Sequence, residues 1–150
     1  MNIFVTSPDP VACARYLDTI RVNKMVTETA QILSTAANTC AGKQVATYKS
    51  YNPNHPVVLW AMRSRGNYFW LYAHFVALCK EYIKRRKRYH KSYIKCLNEL
   101  ANLSDYIPQG QRTEFLNASK NHKHIPDVFE AYKLDLKQKW ENDVIKLTWD

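Results

Sequence analysis

Apolar side chains recur every three or four residues along two long segments of this 150-residue chain, and this spacing decides the fold class. Residues 21–37 place them on one face of a helix, and residues 68–83 do the same with an aromatic-rich set. Only three glycines and six prolines occur, which disfavours turn-dense β architectures. A chain of this length, 46% hydrophobic, can bury one core. The sequence therefore predicts an all-α fold with a single compact domain over residues 1–150.

We expect about five helices, one of them long and central, after an extended N-terminal arm at residues 2–6. The arm is β-branched and aromatic, but one strand alone makes no sheet. The helices are predicted at residues 10–18, 21–37, 56–65 and 67–103 and from residue 126 onward. The helix at 67–103 is expected to bend near residues 89–90. A connection at 38–54 and a loop at 104–125 separate them. Loops of about twenty residues inside compact domains are usually functional or disordered.

The N-terminus and the cysteines favour a cytoplasmic protein. The first ten residues lack a basic stretch and contain two prolines, so we expect no signal peptide. No apolar run reaches the roughly 18 residues of a membrane span. The cysteines are far apart among apolar helical positions, which is typical of reduced core thiols. They are Cys13, Cys40, Cys79 and Cys96.

No metal or cofactor site is predicted. Zinc sites usually contain closely spaced cysteine or histidine pairs with further ligands nearby, and the cysteines form no such pair. His122 and His124 lie in the long loop without neighbouring cysteine or acidic residues. His74, on the aromatic face of residues 68–83, is expected to be a hydrogen-bonded core histidine.

Positive charge is the strongest functional signal. The chain has 22 Lys and Arg residues against 13 Asp and Glu residues, a net charge of +9, which indicates a polyanionic partner. Cations that face DNA phosphates release counterions and make binding salt-dependent. Neighbouring tyrosines at 82, 89 and 93 offer faces on which bases can stack. A solvated helix end is the alternative interpretation. The predicted contacts in this basic run are Lys84, Arg85, Arg86, Lys87, Arg88 and His90.

A polar line interrupts the apolar pattern of residues 21–37. Arg21, Lys24 and Glu28 are spaced i, i+3, i+7, so they share one helix face, which Gln31 extends. A lysine held near a carboxylate can act as an amine nucleophile with an acid–base partner. The alternative is an ordinary surface ion pair.

A third group surrounds His55, which precedes Pro56 at a helix N-terminus. Helix N-termini bind phosphate readily, and histidine titrates near neutral pH. Arg63, Arg65 and Asn67 follow within three turns and are predicted to contact nucleic acid. The alternative interpretation is that His55 is an ordinary residue beside a helix cap and has no functional role.

Three runs carry a resemblance to known proteins. They are Lys24-Met-Val-x-Glu28-x-x-Gln31-x-Leu-Ser-Thr-Ala36, His55-Pro-x-x-x-Trp60 and Ser64-x-x-Asn67-Tyr-x-Trp-Leu71. These runs resemble a set of small phage-encoded proteins. The order of the predicted elements is also similar to that of the all-α phage pyrimidine-dimer DNA glycosylase/AP-lyase family of the endonuclease V type.

This resemblance implies a mechanism. In the family, an N-terminal α-amine attacks the sugar C1′ and forms a Schiff base, and a glutamate serves as the acid–base group. Arginines hold the phosphates, and a histidine opens a later helix. In this sequence His55 matches the histidine and Arg21 one arginine, while the glutamate position falls on Asp18.

The same resemblance leaves the reacting groups open. Asn2 disfavours removal of the initiator methionine, so the α-amine would belong to Met1, and Lys24 is the alternative nucleophile. The acid–base group is Glu28 or Asp18.

The predicted function is that of a phage DNA-binding protein of the glycosylase/AP-lyase type. We expect it to act on modified or damaged bases in double-stranded DNA, without a cofactor and without membrane association, in the cytoplasm of an infected cell. The alternative is a non-catalytic phage accessory protein that binds nucleic acid or a host protein through its basic, aromatic surface. Trp60, Tyr68 and Trp70 are expected in the core rather than on a base-stacking surface.

Overall fold

The computed structural model describes residues 1–150 and contains helices but no strands. The α-helices are α1 (Pro10–Tyr16), α2 (Thr19–Ala41), α3 (Pro56–Arg63), α4 (Arg65–Arg86), α5 (Lys91–Asn102) and α6 (Val128–Asn142), with a 3-10 turn at Leu103–Tyr106. The predicted all-α class is confirmed. No helix is both long enough and apolar enough to cross a membrane.

The structure has six α-helices rather than about five, because the long segment from residue 67 divides near its predicted bend. Lys87 adopts a left-handed conformation with φ of 59°, and its N–H bonds to the Ile83 carbonyl, which ends α4. The basic residues before it suit the negative pole of a helix dipole. His90 then caps α5, since its Nδ1 accepts a hydrogen bond from the Ser92 N–H.

The core lies around the two longest helices, α2 and α4, which pack against each other. The helix α1 packs on α4, while α3 and α5 each contact both central helices. Trp60, Tyr68 and Trp70 are at most 9% exposed, so the prediction that they belong to the core is confirmed. Burying aromatic side chains of this size is among the largest contributions to the stability of a small domain.

The four cysteines are free thiols, and three of them lie in the core as predicted. Cys13, Cys79 and Cys96 are buried, whereas Cys40 is partly exposed. Burial raises the pKa of Cys79 to about 12 and that of Cys96 to about 11. These thiols therefore stay protonated at neutral pH and behave as small apolar side chains.

The N-terminal arm runs into the interior without pairing with a strand. Ile3, Phe4, Val5 and Thr6 are all buried. The side chain of Asn2 folds back, and its Oδ1 accepts hydrogen bonds from the N–H groups of Ile3 and Phe4 at 2.7 and 2.8 Å. Phe4 has a φ of 45°, so the arm turns sharply next to the chain terminus. This turn fixes where Met1 lies.

The first part of the predicted long loop packs on the junction of α3 and α4. Asn67 donates to the Trp60 carbonyl and to Thr113 Oγ1, and it accepts from the Thr113 N–H. The N–H of Gly66 bonds to the Gly110 carbonyl, and a Cβ at Gly66 would overlap the backbone of Arg112. The loop is thus held by hydrogen bonds and by close backbone packing.

His74 links fold stability to pH. Its ring stacks on Trp70, and Nδ1 lies 3.0 Å from the Pro10 carbonyl oxygen. Burial lowers the pKa of His74 to about 4, although the contact with Pro10 acts in the opposite direction. In an unfolded chain the imidazole titrates near 6.5. Between these values the unfolded chain binds the proton more tightly, so stability falls as the pH decreases.

We expect this group alone to cost up to roughly 3 kcal/mol of unfolding free energy as the pH falls from neutral to about 4. Urea denaturation at both pH values measures the loss, with His74→Phe as the comparison. The variant should lose less stability on acidification than the wild type. An equal loss in both proteins would contradict the assignment.

Candidate functional site

A cleft of about 520 Å³ opens between the start of α2, the N-terminal arm and the segment that leads into α6. Its lining is mainly polar, and Glu28 is its one acidic residue. The lining residues are Met1, Asn2, Phe4, Ile20, Arg21, Lys24, Met25, Glu28, Ala118, Ser119, Lys120, Lys123 and Lys139. The cleft thus combines one carboxylate with several amines.

One wall of the cleft is the polar line predicted on α2. Arg21, Lys24 and Glu28 all face the cleft, as their helical spacing requires. Lys24 Nζ lies 4.0 Å from Glu28 Oε1, and the side chains are 69% and 23% exposed, respectively. Glu28 is therefore recessed behind a more exposed lysine, where a carboxylate can meet a substrate that enters the cleft.

The N-terminal arm brings Met1 to the same cleft. The turn made by the Asn2 side chain and the buried residues after it hold this end of the chain in place. Met1, Lys24 and Glu28, which the sequence offered as alternative reacting groups, therefore lie together.

His55 lies beside the cleft rather than in its lining. It caps α3, with Nδ1 accepting from the Val57 N–H at 3.2 Å. Burial lowers the pKa of His55, and the positive charges of the Met1 amine and Lys123 lower it further. The imidazole is therefore neutral at neutral pH, close to the Met1 end of the cleft.

Asp18 lies outside the cleft lining and is fully buried. Its carboxylate caps α2 by accepting from the Arg21 N–H, pairs with Arg21 Nη1 at 3.0 Å and accepts from Trp140 Nε1 at 2.8 Å. The same Arg21 nitrogen also contacts Asp143. These donors occupy the Asp18 carboxylate within the protein, away from the cleft. Its position therefore favours a structural role over the predicted acid–base role.

The second wall comes from the segment before α6 and was not identified from the sequence. Asp135, which is 2% exposed, accepts from the N–H groups of Lys120 and Asn121 and contacts His122 Nδ1. This buried carboxylate fixes the turn that carries Lys120 and Lys123. Lys139 of α6 adds a third amine. These lysines are scattered along a part of the sequence with no recognisable motif.

The basic run at residues 84–91 divides into exposed and buried cations. Lys84, Arg86, Lys87 and Arg88 are exposed and form no ion pair. His90 bridges to α2, with Nε2 3.1 Å from Asn23 Oδ1. These positions leave the exposed members free for the predicted nucleic-acid contacts.

Arg85 does not suit the predicted DNA contact, because its side chain is only 2% exposed. It donates to the carbonyl oxygens of Leu17 and Arg15 and pairs with Glu81 at 3.1 Å. Arg85 thus joins the end of α4 to the end of α1. Helical geometry turns one residue of the run inward while its neighbours point outward.

The predicted contacts after His55 also differ in their placement. Asn67 is fully buried and all its polar atoms bond within the protein, so it does not suit a phosphate contact. Arg65 donates to the carbonyl oxygens of Ile107 and Asp105, and both residues thereby hold the loop. Arg63 is exposed, and its predicted DNA contact stays a prediction.

No three His, Cys, Asp or Glu side chains lie close enough together to hold a metal ion. The chemistry that this site offers is that of amines, one carboxylate and one neutral imidazole.

Comparison with known families places the chain. The model of the pyrimidine dimer DNA glycosylase family matches residues 1–95. Since this is more than half of the sequence, the chain belongs to that family. No curated protein and no solved structure matches the chain. The matched part includes Met1, Lys24, Glu28 and His55, whereas the second wall of the cleft lies beyond it.

The buried position of Arg85 leads to a stability prediction. Arg85→Ala removes the donors to two helix-end carbonyl oxygens and leaves Glu81 unpaired, so we expect a loss of about 3 kcal/mol of unfolding free energy. Arg86→Ala, one residue further and exposed, should change it by less than about 0.5 kcal/mol. Urea denaturation of both variants measures the difference. Equal effects would show that Arg85 does not anchor the helix ends.

Proposed function

We propose that this protein is a DNA glycosylase with AP-lyase activity that acts on modified or damaged bases in double-stranded DNA. The observation that carries the proposal is the shared cleft of Met1, Lys24 and Glu28. This cleft lies largely within the part of the chain that matches the pyrimidine dimer DNA glycosylase family. The phage origin and the cytoplasm of an infected cell as the place of action stay predictions.

In the proposed reaction, a neutral amine attacks C1′ of the damaged nucleotide. The base leaves with the electron pair of the glycosidic bond and takes up a proton. The amine nitrogen loses a proton, and its lone pair then forms the C1′=N bond as the C1′–O4′ bond breaks and O4′ takes up a proton, which gives a protonated Schiff base on the opened sugar. Abstraction of a proton from C2′ then expels the 3′ phosphate by β-elimination, and hydrolysis of the imine releases the enzyme.

Two amines are candidates for the attack. Lys24 Nζ lies 4.0 Å from Glu28 Oε1 as an ion pair, whereas the Met1 amine forms no ion pair and is not held by a carboxylate. We therefore take the Met1 α-amine as the nucleophile and Lys24 as the alternative. Covalent catalysis by an amine of this kind needs a nearby acid–base group.

Glu28 is the proposed acid–base group, because it is the one carboxylate in the cleft. In this proposal it accepts a proton from the attacking amine and later from C2′. His55, whose remaining nitrogen Nε2 makes no hydrogen bond within the protein, is proposed to assist at the Met1 end. A neutral imidazole can accept a proton there.

DNA binding is proposed to depend on the cations around these groups. Lys120, Lys123 and Lys139 line the cleft and can hold phosphates on either side of the reacting nucleotide. Arg21 also lines the cleft, but its guanidinium already pairs with Asp18 and Asp143. The exposed cations of residues 84–91 are proposed to add further phosphate contacts, and His90 of the same run contacts Asn23 of α2. Affinity should therefore fall steeply with salt.

Borohydride trapping tests the reaction. Incubation with duplex DNA that contains an abasic site or a pyrimidine dimer, followed by reduction, should link the protein covalently to the DNA. Peptide mapping of the adduct should place it on Met1, and placement on Lys24 would select the alternative amine. The absence of an adduct on both substrates would contradict the proposal.

Glu28→Gln tests the carboxylate with little change of shape. We expect turnover to fall by about 10²- to 10⁴-fold, the usual contribution of an acid–base group, with DNA affinity nearly unchanged. Glu130→Gln, an exposed glutamate outside the cleft, removes the same charge and serves as the control. Single-turnover kinetics measure the reaction. Equal rates in the two variants would eliminate Glu28 as the acid–base group.

A non-catalytic accessory protein is the second candidate, favoured by the exposed cations of residues 84–91 that form no ion pair in the protein. Salt-dependent DNA binding without any trapped adduct would support it. Absence of DNA binding, together with binding of a host protein at the same surface, would support an accessory protein that acts on a host protein.

A further inference from the structure

The corner between α4 and α5 carries an exposed aromatic pair. Tyr89 is 63% exposed and stacks on Tyr93, with ring centroids 5.7 Å apart and planes 16° from parallel. Large aromatic side chains gain most from burial, so a tyrosine left this open contributes little to the core. Its stacking on Tyr93 nevertheless holds the ring in one orientation before any ligand arrives.

A groove of about 440 Å³ lies beside this pair, and we call it the corner groove. Its lining residues are Asn23, Tyr82, Arg88, Tyr89, His90 and Lys91. It contains two cations and no acidic residue, and neither cation forms an ion pair. Arg88 Nε donates to the Tyr82 hydroxyl at 3.1 Å, which orients the guanidinium at the groove.

The backbone explains why these side chains meet. The left-handed Lys87 stops α4, and the His90 cap starts α5, so residues 88 and 89 turn outward between two helices. The contact of His90 with Asn23 fixes this corner against α2. Asn23 lines the corner groove and Lys24 lines the proposed reaction cleft, so α2 contributes to both, although the two linings share no residue.

We propose that the corner groove binds unpaired bases of DNA, with a base stacked on Tyr89 and its phosphates held by Arg88 and Lys91. The choice of DNA as the ligand rests on the proposed function. Stacking platforms flanked by cations bind single strands without strong sequence preference. An intact duplex hides its base faces, so it would use the cations but not the tyrosine.

This assignment gives the protein a preference for substrates that contain an unstacked or single-stranded segment in addition to the damaged nucleotide. The duplex contacts proposed for the cleft and the stacking contact at Tyr89 are then separate contributions. They respond differently to salt, since only the phosphate contacts release counterions.

Fluorescence anisotropy with a labelled oligothymidine of about twelve nucleotides, and with a duplex of the same length, tests the proposal. Tyr89→Leu should weaken single-strand binding roughly tenfold, the effect of removing one base-stacking platform, and leave its salt slope unchanged. Duplex binding should change less than about twofold. Tyr51→Leu, at a tyrosine 60% exposed that lines neither groove nor cleft, is the matched control.

A charge variant separates the two contributions. Lys84→Gln with Arg86→Gln should weaken both DNA forms and lower the salt slope by about one unit for each cation that pairs with a phosphate in the wild-type complex. If Tyr89→Leu instead weakens both DNA forms equally, or neither, the stacking proposal is wrong.

Photocrosslinking gives a readout that does not depend on a variant folding. Oligothymidine that contains 5-iodouracil should crosslink to Tyr89 of the wild-type protein, as located by mass spectrometry. A crosslink found only elsewhere overturns the proposal. Tyr89-dependent single-strand binding without any borohydride adduct would keep the corner groove and reject the proposed glycosylase reaction.

Discussion

The buried carboxylate of Asp18 is the interaction on which the site depends most. It starts α2, fixes the Arg21 guanidinium and receives the indole N–H of Trp140 from α6. A buried charge is costly unless donors surround it, and here three donors do so. As a result, the helix that carries Lys24 and Glu28 begins at a defined residue, and α6 is tied to its first turn.

The all-α class and the polar line on α2 could be predicted because both follow from local periodicity. Arg21, Lys24 and Glu28 share a face in any helix, whatever packs around it. The interior roles of Asp18, Arg85 and Asn67 could not be predicted in the same way. Their partners are distant in the sequence, and an isolated polar residue does not reveal whether carbonyl groups or water will satisfy it.

The second wall of the cleft shows the same limit. Lys120 and Lys123 lie in a segment that has no regular secondary structure, so no periodicity indicates where they point. What orders them is one carboxylate, Asp135, supplied by a helix that follows in the chain. The family match ends at residue 95, well before this segment. The wall on α2 therefore lies within the family match, whereas the second wall is known from tertiary contacts alone.

The close packing of the loop on Gly66 determines how this loop lies on α4. The loop from Pro108 to Thr113 lies directly on the start of α4, and the chain continues from there to the lysine wall without an intervening helix. Any side chain at position 66 would push this loop outward. The residues that follow are anchored separately, since Trp60 Nε1 donates to the Glu114 carbonyl and the Tyr132 hydroxyl donates to the Leu116 carbonyl. Gly66 therefore determines how closely the loop lies on α4, while separate hydrogen bonds determine where its later residues meet the cleft.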